Sequence, residues 1–441
     1  MKPIQVGLLG FGTVGSGVAK VLARNAEEIG RRAGRAIEVK RVAVRNIDKA
    51  RAAAPLAVTE GLAFGNDMQA VVDDPDINIV CELIGGTTLA KDLVLRAIAN
   101  GKHVVTANKA LLAIHGNEIF AAAQQAGVMV MFEAAVAGGI PIIKALREGL
   151  TANRIEWLAG IINGTSNFIL TEMRDKGAAF ADVLAEAQKL GYAEADPTFD
   201  IEGHDAAHKL TILAAIAFGI PMQFDKAYLE GISKLTREDI AYAEELGYRI
   251  KLLGIAKRRA NGIELRVHPT LIPAKRIIAN VDGVMNAVVV QGDAVGQTLY
   301  SGRGAGSEPT ASAVVADLVD VTRLLTADPE HRVPHLAFQP DRLADLPILP
   351  IAEVETCYYL RLQAHDQPGV MADVTRILAN AGISIDAMMQ KEPAEGEKIV
   401  DIVILTHVAI ERSVDAAIAR IEALETIAGR ITKLRLENLD R

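Results

Sequence analysis

The N-terminal part of the chain alternates short apolar runs with helical stretches. Ile4-Gln-Val-Gly-Leu-Leu-Gly10 reads as a buried strand, Thr13 to Asn25 as a helix, and Ile37 to Val44 as a second strand. Alternation continues through helix Asp67–Val72, strand Asn78–Leu83, helix Lys91–Asn100, strand His103–Thr106, helix Gly116–Ala126 and strand Val128–Glu133. This order predicts an α/β fold, a Rossmann-like doubly wound parallel sheet over residues 1–133. Ligands of such sheets lie at the carboxyl ends of the strands, here Ile84-Gly-Gly-Thr87 and Thr106-Ala-Asn-Lys109.

Downstream the pattern changes. Strand-like Arg154-Ile-Glu-Trp-Leu-Ala-Gly-Ile-Ile162 leads into helix Thr165–Lys176, which Asn163-Gly-Thr-Ser can cap. Ile263–Leu271 and Asn286–Gln291 look like further strands, giving a second, α+β domain over 134–300. Residues 301–330 carry Gly302-Arg-Gly-Ala-Gly306, Pro309 and the helical Ala311–Thr326. Asp328 to Pro350 holds five prolines and little periodicity, so 331–350 reads as a linker. Residues 351–441 then run strand Tyr358–Ala364, helix Gly369–Ala381, strands Ile383–Gln390 and Lys398–His407, helix Ser413–Leu424 and strand Thr432–Glu437. This βαββαβ order is ferredoxin-like.

The segment Gly191-Tyr-Ala-Glu-Ala-Asp-Pro-Thr-Phe-Asp200-Ile-Glu-Gly-His-Asp205-Ala-Ala-His-Lys209 concentrates the chemistry. It holds five carboxylates, Glu194, Asp196, Asp200, Glu202 and Asp205, and one lysine. Asp205 and Lys209 stand four residues apart, hence on one helical face, with the acid N-terminal to the base. Such a pair is usually a solvated surface contact worth roughly 0.2–0.5 kcal/mol. Here the run Leu210–Phe218 that follows is broken only by Thr211, so the helix has little polar face to offer water. A polar site cut into a core is the better reading. Carboxylates suit an ammonium group and a lysine suits proton transfer, as an enzyme acting on a small amino acid needs.

Gly10-Phe-Gly12-Thr-Val-Gly15 sits between the first strand and the first helix, the context that gives a GxGxxG its meaning. The first glycine makes the turn, the second admits the pyrophosphate, and the third lets helix and strand pack closely. Phe11, Thr13 and Val14 complete the candidate dinucleotide loop. After the second strand stands Arg45-Asn46, where an acid would bind the 2′-hydroxyl of NAD. An arginine there favours NADP over NAD; the alternative is a solvated loop arginine. Gly85, Thr106 and Lys109, at the later strand ends, join the candidate cofactor residues, and Lys109 can reach a phosphate or the substrate.

Length implies several domains, and the formal charge of −8 argues against a nucleic-acid partner. Cys81 and Cys357 form no metal or redox motif and fit a reducing, cytoplasmic setting. No signal peptide and no apolar run of about 18 residues is seen, so no membrane association is expected. His204 and His208 have i, i+4 spacing, but no HExxH or nearby cysteine completes a zinc site, and helix-surface or packing roles fit better.

The chain resembles homoserine dehydrogenases nearly end to end. The likeness is carried by Gly10–Gly15, Thr106-Ala-Asn-Lys-Ala-Leu111, Glu133-Ala-Ala-Val-Ala-Gly-Gly-Ile-Pro141, Asn163-Gly-Thr-Ser-Asn-Phe168 and Gly191–Lys209. Asp366-Gln-Pro-Gly369-Val-Met with Asn380-Ala-Gly-Ile-Ser384 is similar to ACT domains. The resemblance implies reversible NAD(P)-dependent conversion of L-homoserine to L-aspartate 4-semialdehyde, within threonine, methionine and isoleucine biosynthesis. It makes Lys209 the acid/base, with Asp205 orienting substrate and holding Lys209. Glu194 would bind the substrate ammonium, Gly191 would offer backbone, Thr165 would lie near the reacting groups, and Asp200 would join the charge network. Asp196 and Glu202 are read as structural, since helix entrances favour acids. Glu133 and the carbonyls of Val136, Gly138 and Ile140 match a monovalent-cation loop, for sodium, though a glycine-rich hinge without an ion is the alternative. The helix after Gly306 would return to the nucleotide domain, and Gly306 would touch cofactor. The ACT domain implies L-threonine as effector near Asp366, Gly369 and Val370, or else a module used only for assembly, in a homodimer or homotetramer.

Two other functions compete. An aspartate-semialdehyde dehydrogenase needs an accessible thiolate; Cys81 lies inside a strand and Cys357 at the edge of the last domain. A catalytically silent amino-acid sensor would not need Lys209, Asp205, Glu194 and the glycine loop together.

Overall fold

The computed structural model describes residues 2–391 and 398–440. The chain divides into two compact units. One holds the stretch up to Gly164, Asp205–Ala227 and Val284–Leu346; the other holds Thr165–His204, Tyr228–Gly283 and the stretch from Pro347 onward.

In the first unit, β1 (Ile4–Leu9), β2 (Ile37–Ala43), β3 (Ala63–Gly65), β4 (Ile79–Glu82), β5 (His103–Thr106) and β6 (Val130–Met131) form a sheet of order β3-β2-β1-β4-β5-β6. Every neighbouring pair is parallel. The order reverses between β1 and β4, which opens a crevice at their carboxyl ends. Helix Thr13–Arg24 buries Val18, Ala19 and Leu22 in one core with Val6 and Leu8 of β1. Ala311, Val314 and Leu318 of helix Ser307–Leu324 enter the same core. The two helices approach closely at Gly17, where a Cβ would stand 2.6 Å from the Ser307 carbonyl oxygen. Arg24 and Glu308 clamp them outside as a two-pronged pair at 3.1 and 2.9 Å.

Around this sheet, two boundaries differ most from the expected ones. The helix expected from Gly116 begins at Lys109, because Asn108 Oδ1 caps it by accepting from Leu111 N at 3.1 Å. The strand expected over Val128–Glu133 shrinks to Val130–Met131, since Glu133 opens a 3₁₀ turn. The unit also holds an antiparallel set, Ile155–Ile161, Met285–Gly292 and Gly296–Arg303. Its last strand was not expected: small and polar residues dominate it, and alternate positions face out.

The second unit is built on a hairpin of Tyr248–Arg259 and Gly262–Pro273, paired along their whole length. Only the second of these strands was visible in the sequence. The C-terminal part has strands Glu355–His365, Ile385–Gln390, Ile399–Thr406 and Ile427–Leu436 and helices Val370–Asn380 and Glu411–Glu422. The last strand lies beside the first, which pairs with the third, and the second closes the far edge, all antiparallel. This is the ferredoxin-like arrangement. Tyr358, Leu360, Val374, Leu378, Ile402 and Val414 make its own core. Strand Ile427–Leu436 also pairs, in parallel, with Gly262–Pro273 through Thr270 with Arg435 and Leu271 with Leu436. Charged residues fill that seam. Arg266 donates to Glu264 at 2.9 Å and to Glu437 at 2.5 Å, while Arg435 donates to Glu411 at 2.5 Å and to Glu230 at 2.8 Å.

Candidate active site

Helix His204–Phe218 presents Asp205 and Lys209 on one face, as their spacing requires. Lys209 Nζ donates to Asp205 Oδ2 and to the Ile162 carbonyl, both at 2.7 Å. Asn163, just past strand Ile155–Ile161, donates its Nδ2 to the same Asp205 oxygen at 2.8 Å. Lys109, opening helix Lys109–Gln125, brings its ammonium to 3.0 Å from Asp205 Oδ1. A lysine opposes the dipole at a helix N-terminus; here Asp205 supplies the compensating charge. Burial alone would raise the Asp205 carboxyl, but the charges of Lys209 and Lys109 hold it well below the usual carboxylate range. Two ammonium groups against one carboxylate leave the cluster at net +1. Releasing one proton therefore makes it neutral, a suitable balance for a site that passes a single proton.

The crevice at the switch point forms a cavity of about 980 Å³. Gly10, Phe11, Gly12, Thr13, Arg45 and Gly85 line it, together with Asn46, Lys49 and Gly86. Gly10 has φ 98°, and a Cβ there would lie 2.7 Å from the Leu83 carbonyl oxygen. A Cβ on Gly15 would run into the Gly10 carbonyl, whereas one on Gly12 would meet only open space. The loop thus closes tightly around itself and leaves its middle bare, as a pyrophosphate cradle must. Val14 and Gly15 belong to the helix behind it, and Gly306 caps helix Ser307–Leu324. Thr106 ends β5; its hydroxyl donates to Glu82 at 2.7 Å and accepts from Asn108 N at 3.0 Å. Glu82 and Asn108 were not singled out from the sequence, and Asn163 was given only a capping role there. An acid ending the apolar run Ile79-Val-Cys-Glu82 was the available signal for the first.

Glu133 lies buried, its two carboxylate oxygens accepting from Ile143 N at 2.9 Å and Lys144 N at 2.8 Å. Burial pushes its carboxyl up to about 7. Asp317, also buried, accepts from Glu133 N at 2.8 Å, and burial with the Glu133 charge holds its carboxyl well above the usual range. The adjoining turn has Ala137 and Gly138 at φ 54° and 47°. It abuts Arg303–Gly304, with Gly139 N donating to the Arg303 carbonyl at 3.0 Å. The Ile140 carbonyl accepts from Ile142 N.

Thr165, Gly191, Glu194 and Asp200 belong to the second unit. There the Thr165 hydroxyl donates to the Tyr192 carbonyl at 2.7 Å, pinning the loop that carries Gly191 and Glu194. Glu194 is exposed, and the Asp200 carbonyl accepts from Ser166 Oγ at 3.1 Å. Asp196 accepts from Thr198 N at 3.1 Å, at the entrance of the short helix Thr198–Ile201. His204 stacks on Phe199, and His208 packs against Phe224 with ring centroids 4.3 Å apart. Among the described residues no three His, Cys, Asp or Glu side chains are grouped as a metal site. In the ferredoxin-like part, Asp366 is exposed in the first strand–helix loop, and Gly369 precedes Val370 at the helix start. Burial pushes the thiols of Cys81 and Cys357 up, away from the thiolate that acyl-enzyme chemistry needs.

A parallel sheet with a glycine cradle at its switch point, beside a lysine–carboxylate cluster, defines an NAD(P)-dependent oxidoreductase. Residues 10–133 match the family profile "Homoserine dehydrogenase, NAD binding domain", 141–319 match "Homoserine dehydrogenase", and 358–426 match "ACT domain". A homoserine dehydrogenase of Pseudomonas aeruginosa is 65% identical over 440 residues, covering 100% of both chains. The crystal structure of a homoserine dehydrogenase from Thiobacillus denitrificans superposes with a TM-score of 0.95 at 74% identity, covering 100% of this chain and 99% of that one. A hyperthermophilic archaeal homoserine dehydrogenase in complex with NADPH matches 73% of this chain and 98% of its own, at 25% identity and a TM-score of 0.62. The chain belongs to the homoserine dehydrogenase family and carries that family's activity, with a C-terminal ACT domain. No helix among the described residues is long and apolar enough to cross a membrane.

Proposed function

We propose that Lys209 takes up the C4 hydroxyl proton as L-homoserine is oxidised and returns it to the oxygen as L-aspartate 4-semialdehyde is reduced, while a nicotinamide nucleotide held in the glycine-lined cavity would accept or return the C4 hydride. The observation that carries this is the buried Asp205 carboxylate gripping both Lys209 and Lys109. The nicotinamide cofactor supplies the hydride chemistry. Asp205 keeps Lys209 oriented, and Asn163 keeps Asp205 oriented. Lys109 adds a second positive charge where the substrate oxygen becomes an alkoxide, which stabilises it. Glu194 is read as the ammonium-binding acid, with Asp200 in the same charge network and Gly191 and Thr165 shaping that loop. Supporting this, Thr165 fixes the 191–194 backbone while the Glu194 side chain stays exposed for a ligand.

NADP is the preferred cofactor in this reading. Arg45 and Lys49 put positive charge in the cavity where NAD-binding folds place an acid. The NADPH-bound archaeal relative is in keeping with it. The remaining cofactor contacts are assigned to Gly10–Gly15, Gly85, Thr106 and Gly306. Sodium is assigned to Glu133 and the carbonyls of Val136, Gly138 and Ile140, since two adjoining buried carboxyls, Glu133 and Asp317, would be relieved by a nearby cation. The domain limits 1–133, 134–300, 301–330, 331–350 and 351–441 stand as our reading of the chain. Strand Gly296–Arg303, with Leu299 and neighbouring Val295 exposed, is assigned to self-association in a homodimer or homotetramer. Threonine is assigned as effector of the ACT domain, and a reducing cytoplasm as the setting. Initial rates of homoserine oxidation with NADP and with NAD test the central reading. Turnover with neither would refute the chemistry, and a preference for NAD would refute the cofactor assignment.

A further inference from the structure

Glu82 ends β4 with 0% exposure, a position where an apolar side chain would pack without penalty. Burying a carboxyl costs several kcal/mol unless hydrogen bonds offset it. Its Oε1 accepts from Ile84 N at 3.0 Å and Gly85 N at 3.1 Å, and its Oε2 from the Thr106 hydroxyl at 2.7 Å. These donors come from two different strand ends. Ile84, Gly85 and Gly86 line the nucleotide cavity; Thr106 ends β5, three residues before Lys109. Thr106 Oγ1 in turn accepts from Asn108 N at 3.0 Å, and Asn108 Nδ2 donates to the Gly86 carbonyl at 2.7 Å. The ring of bonds therefore closes: Glu82, the Ile84–Gly86 loop, Asn108, Thr106, Glu82. The Asn108 side chain also caps the helix that opens with Lys109.

We propose that Glu82 is a positioning residue for hydride transfer, locking the Ile84–Gly86 cofactor loop to the cap that places Lys109 beside Asp205. This rests on reading the glycine-lined cavity as the nicotinamide nucleotide site and the lysine cluster as the proton-transfer site. A carboxylate suits the task because it accepts all three donors at once; burial pushes the Glu82 carboxyl up, and the bonds from Thr106, Ile84 and Gly85 act against that shift. A glutamine must turn its amide toward Thr106, whose second lone pair can accept it, but the Thr106 hydroxyl proton then loses the acceptor it has in Glu82. The ring then loses its matched donors and acceptors, and loop and helix can drift apart. Misplacement by about 1 Å can cost on the order of 100-fold in rate.

The test uses the full-length enzyme with homoserine carrying deuterium or hydrogen at C4. Wild-type turnover, with deuterium delivered to the nicotinamide, first establishes the underlying reading independently; its absence would sink that reading, and this proposal with it. Glu82→Gln should then lower kcat by roughly 10- to 100-fold and raise the nucleotide KM severalfold. The homoserine KM should change little, and the isotope effect on kcat should rise as hydride transfer becomes slower than product release. Asn108→Ser, which keeps a helix cap but is too short to reach the Gly86 carbonyl, breaks the ring at a residue given no cofactor contact and should reproduce this pattern, which decides the matter even if Glu82→Gln folds poorly. Wild-type kcat, nucleotide KM and isotope effect in a folded Glu82→Gln or in Asn108→Ser would overturn the proposal. So would a fall in kcat that only tracks the fraction of folded enzyme, with an unaltered isotope effect.

Discussion

At the scale of single residues, the i, i+4 spacing made the Asp205–Lys209 pair legible, and the pair lies at 2.7 Å. Lys109 was visible as a residue at a strand end, but its partner was not, because Asp205 lies 96 positions away in sequence. The bond from Asn163 to Asp205 was hidden for the same reason. Replacing Lys209 by Ala should cut kcat by about 10²–10⁴-fold, the usual worth of acid/base help. Nucleotide affinity, measured by binding in the absence of homoserine, should stay near wild type, since Lys209 is outside the glycine cavity. Near-normal kcat in the folded variant would remove Lys209 from the mechanism. Arg45→Asp takes a cation from the cavity and adds an acceptor for a ribose hydroxyl. The ratio of kcat/KM for NADP over NAD should therefore fall by about tenfold or more, roughly the worth of one charge-assisted hydrogen bond. An unmoved ratio would mean that Arg45 faces solvent rather than the 2′-phosphate.

At the scale of elements, what escaped the sequence had a physical reason. Tyr248–Arg259 was overlooked as a strand because Arg249, Lys251 and Lys257 break its apolar pattern. Yet Lys251 is 1% exposed, its ammonium donating to the Val281 carbonyl at 2.7 Å and to Asp282 at 2.9 Å. Tertiary partners, invisible locally, outweighed propensity there. The early start of helix Lys109–Gln125 follows similarly from the Asn108 cap. A different burial makes β5 and β6 sensitive to acid. His103 Nδ1 accepts from Met129 N at 2.9 Å and must be neutral to do so; burial, helped by the charge of Arg332, pushes it down to about 4. His335 Nε2 accepts from Val130 N at 3.1 Å and is likewise pushed down to about 4 by burial. An unfolded histidine titrates near 6.5. Between that value and about 4 the unfolded chain therefore binds protons that the native protein does not, so stability falls as pH falls through this window. For buried His103 the loss is at most on the order of 3 kcal/mol. Urea unfolding at a series of pH values should show this decline, and His103→Asn, whose Oδ1 can accept in place of Nδ1, should flatten it. A slope identical in the variant would assign the acid sensitivity to other groups.

At the scale of the whole molecule, the ACT domain is legible in the sequence as a separate module, but it does not hang from a tether. Its strand Ile427–Leu436 extends the sheet of Gly262–Pro273, and Ile263 bonds to both Pro347 and Leu349. Removing everything after Pro350 would strip Arg266 of Glu437, Glu230 of Arg435, and the buried Asp239 of Arg361. Leaving one partner of a buried pair typically costs about 3–5 kcal/mol. Truncation would therefore confuse a loss of regulation with a loss of folding. A point substitution at the effector loop avoids this. Asp366 is exposed, and the bond in which it takes part here comes from its backbone, donated to the Lys398 carbonyl, so Asp366→Ala spares the architecture. If threonine binds at this loop and holds the less active state more tightly, it inhibits without occupying the homoserine site, since equal affinity for both states would shift nothing. Asp366→Ala should then leave kcat near wild type and raise the threonine concentration for half-inhibition by about tenfold or more, as expected for losing a hydrogen bond to a charged group. Inhibition that is purely competitive with homoserine, or unaltered in the variant, would place threonine at Lys209 instead and leave the ACT domain an assembly module.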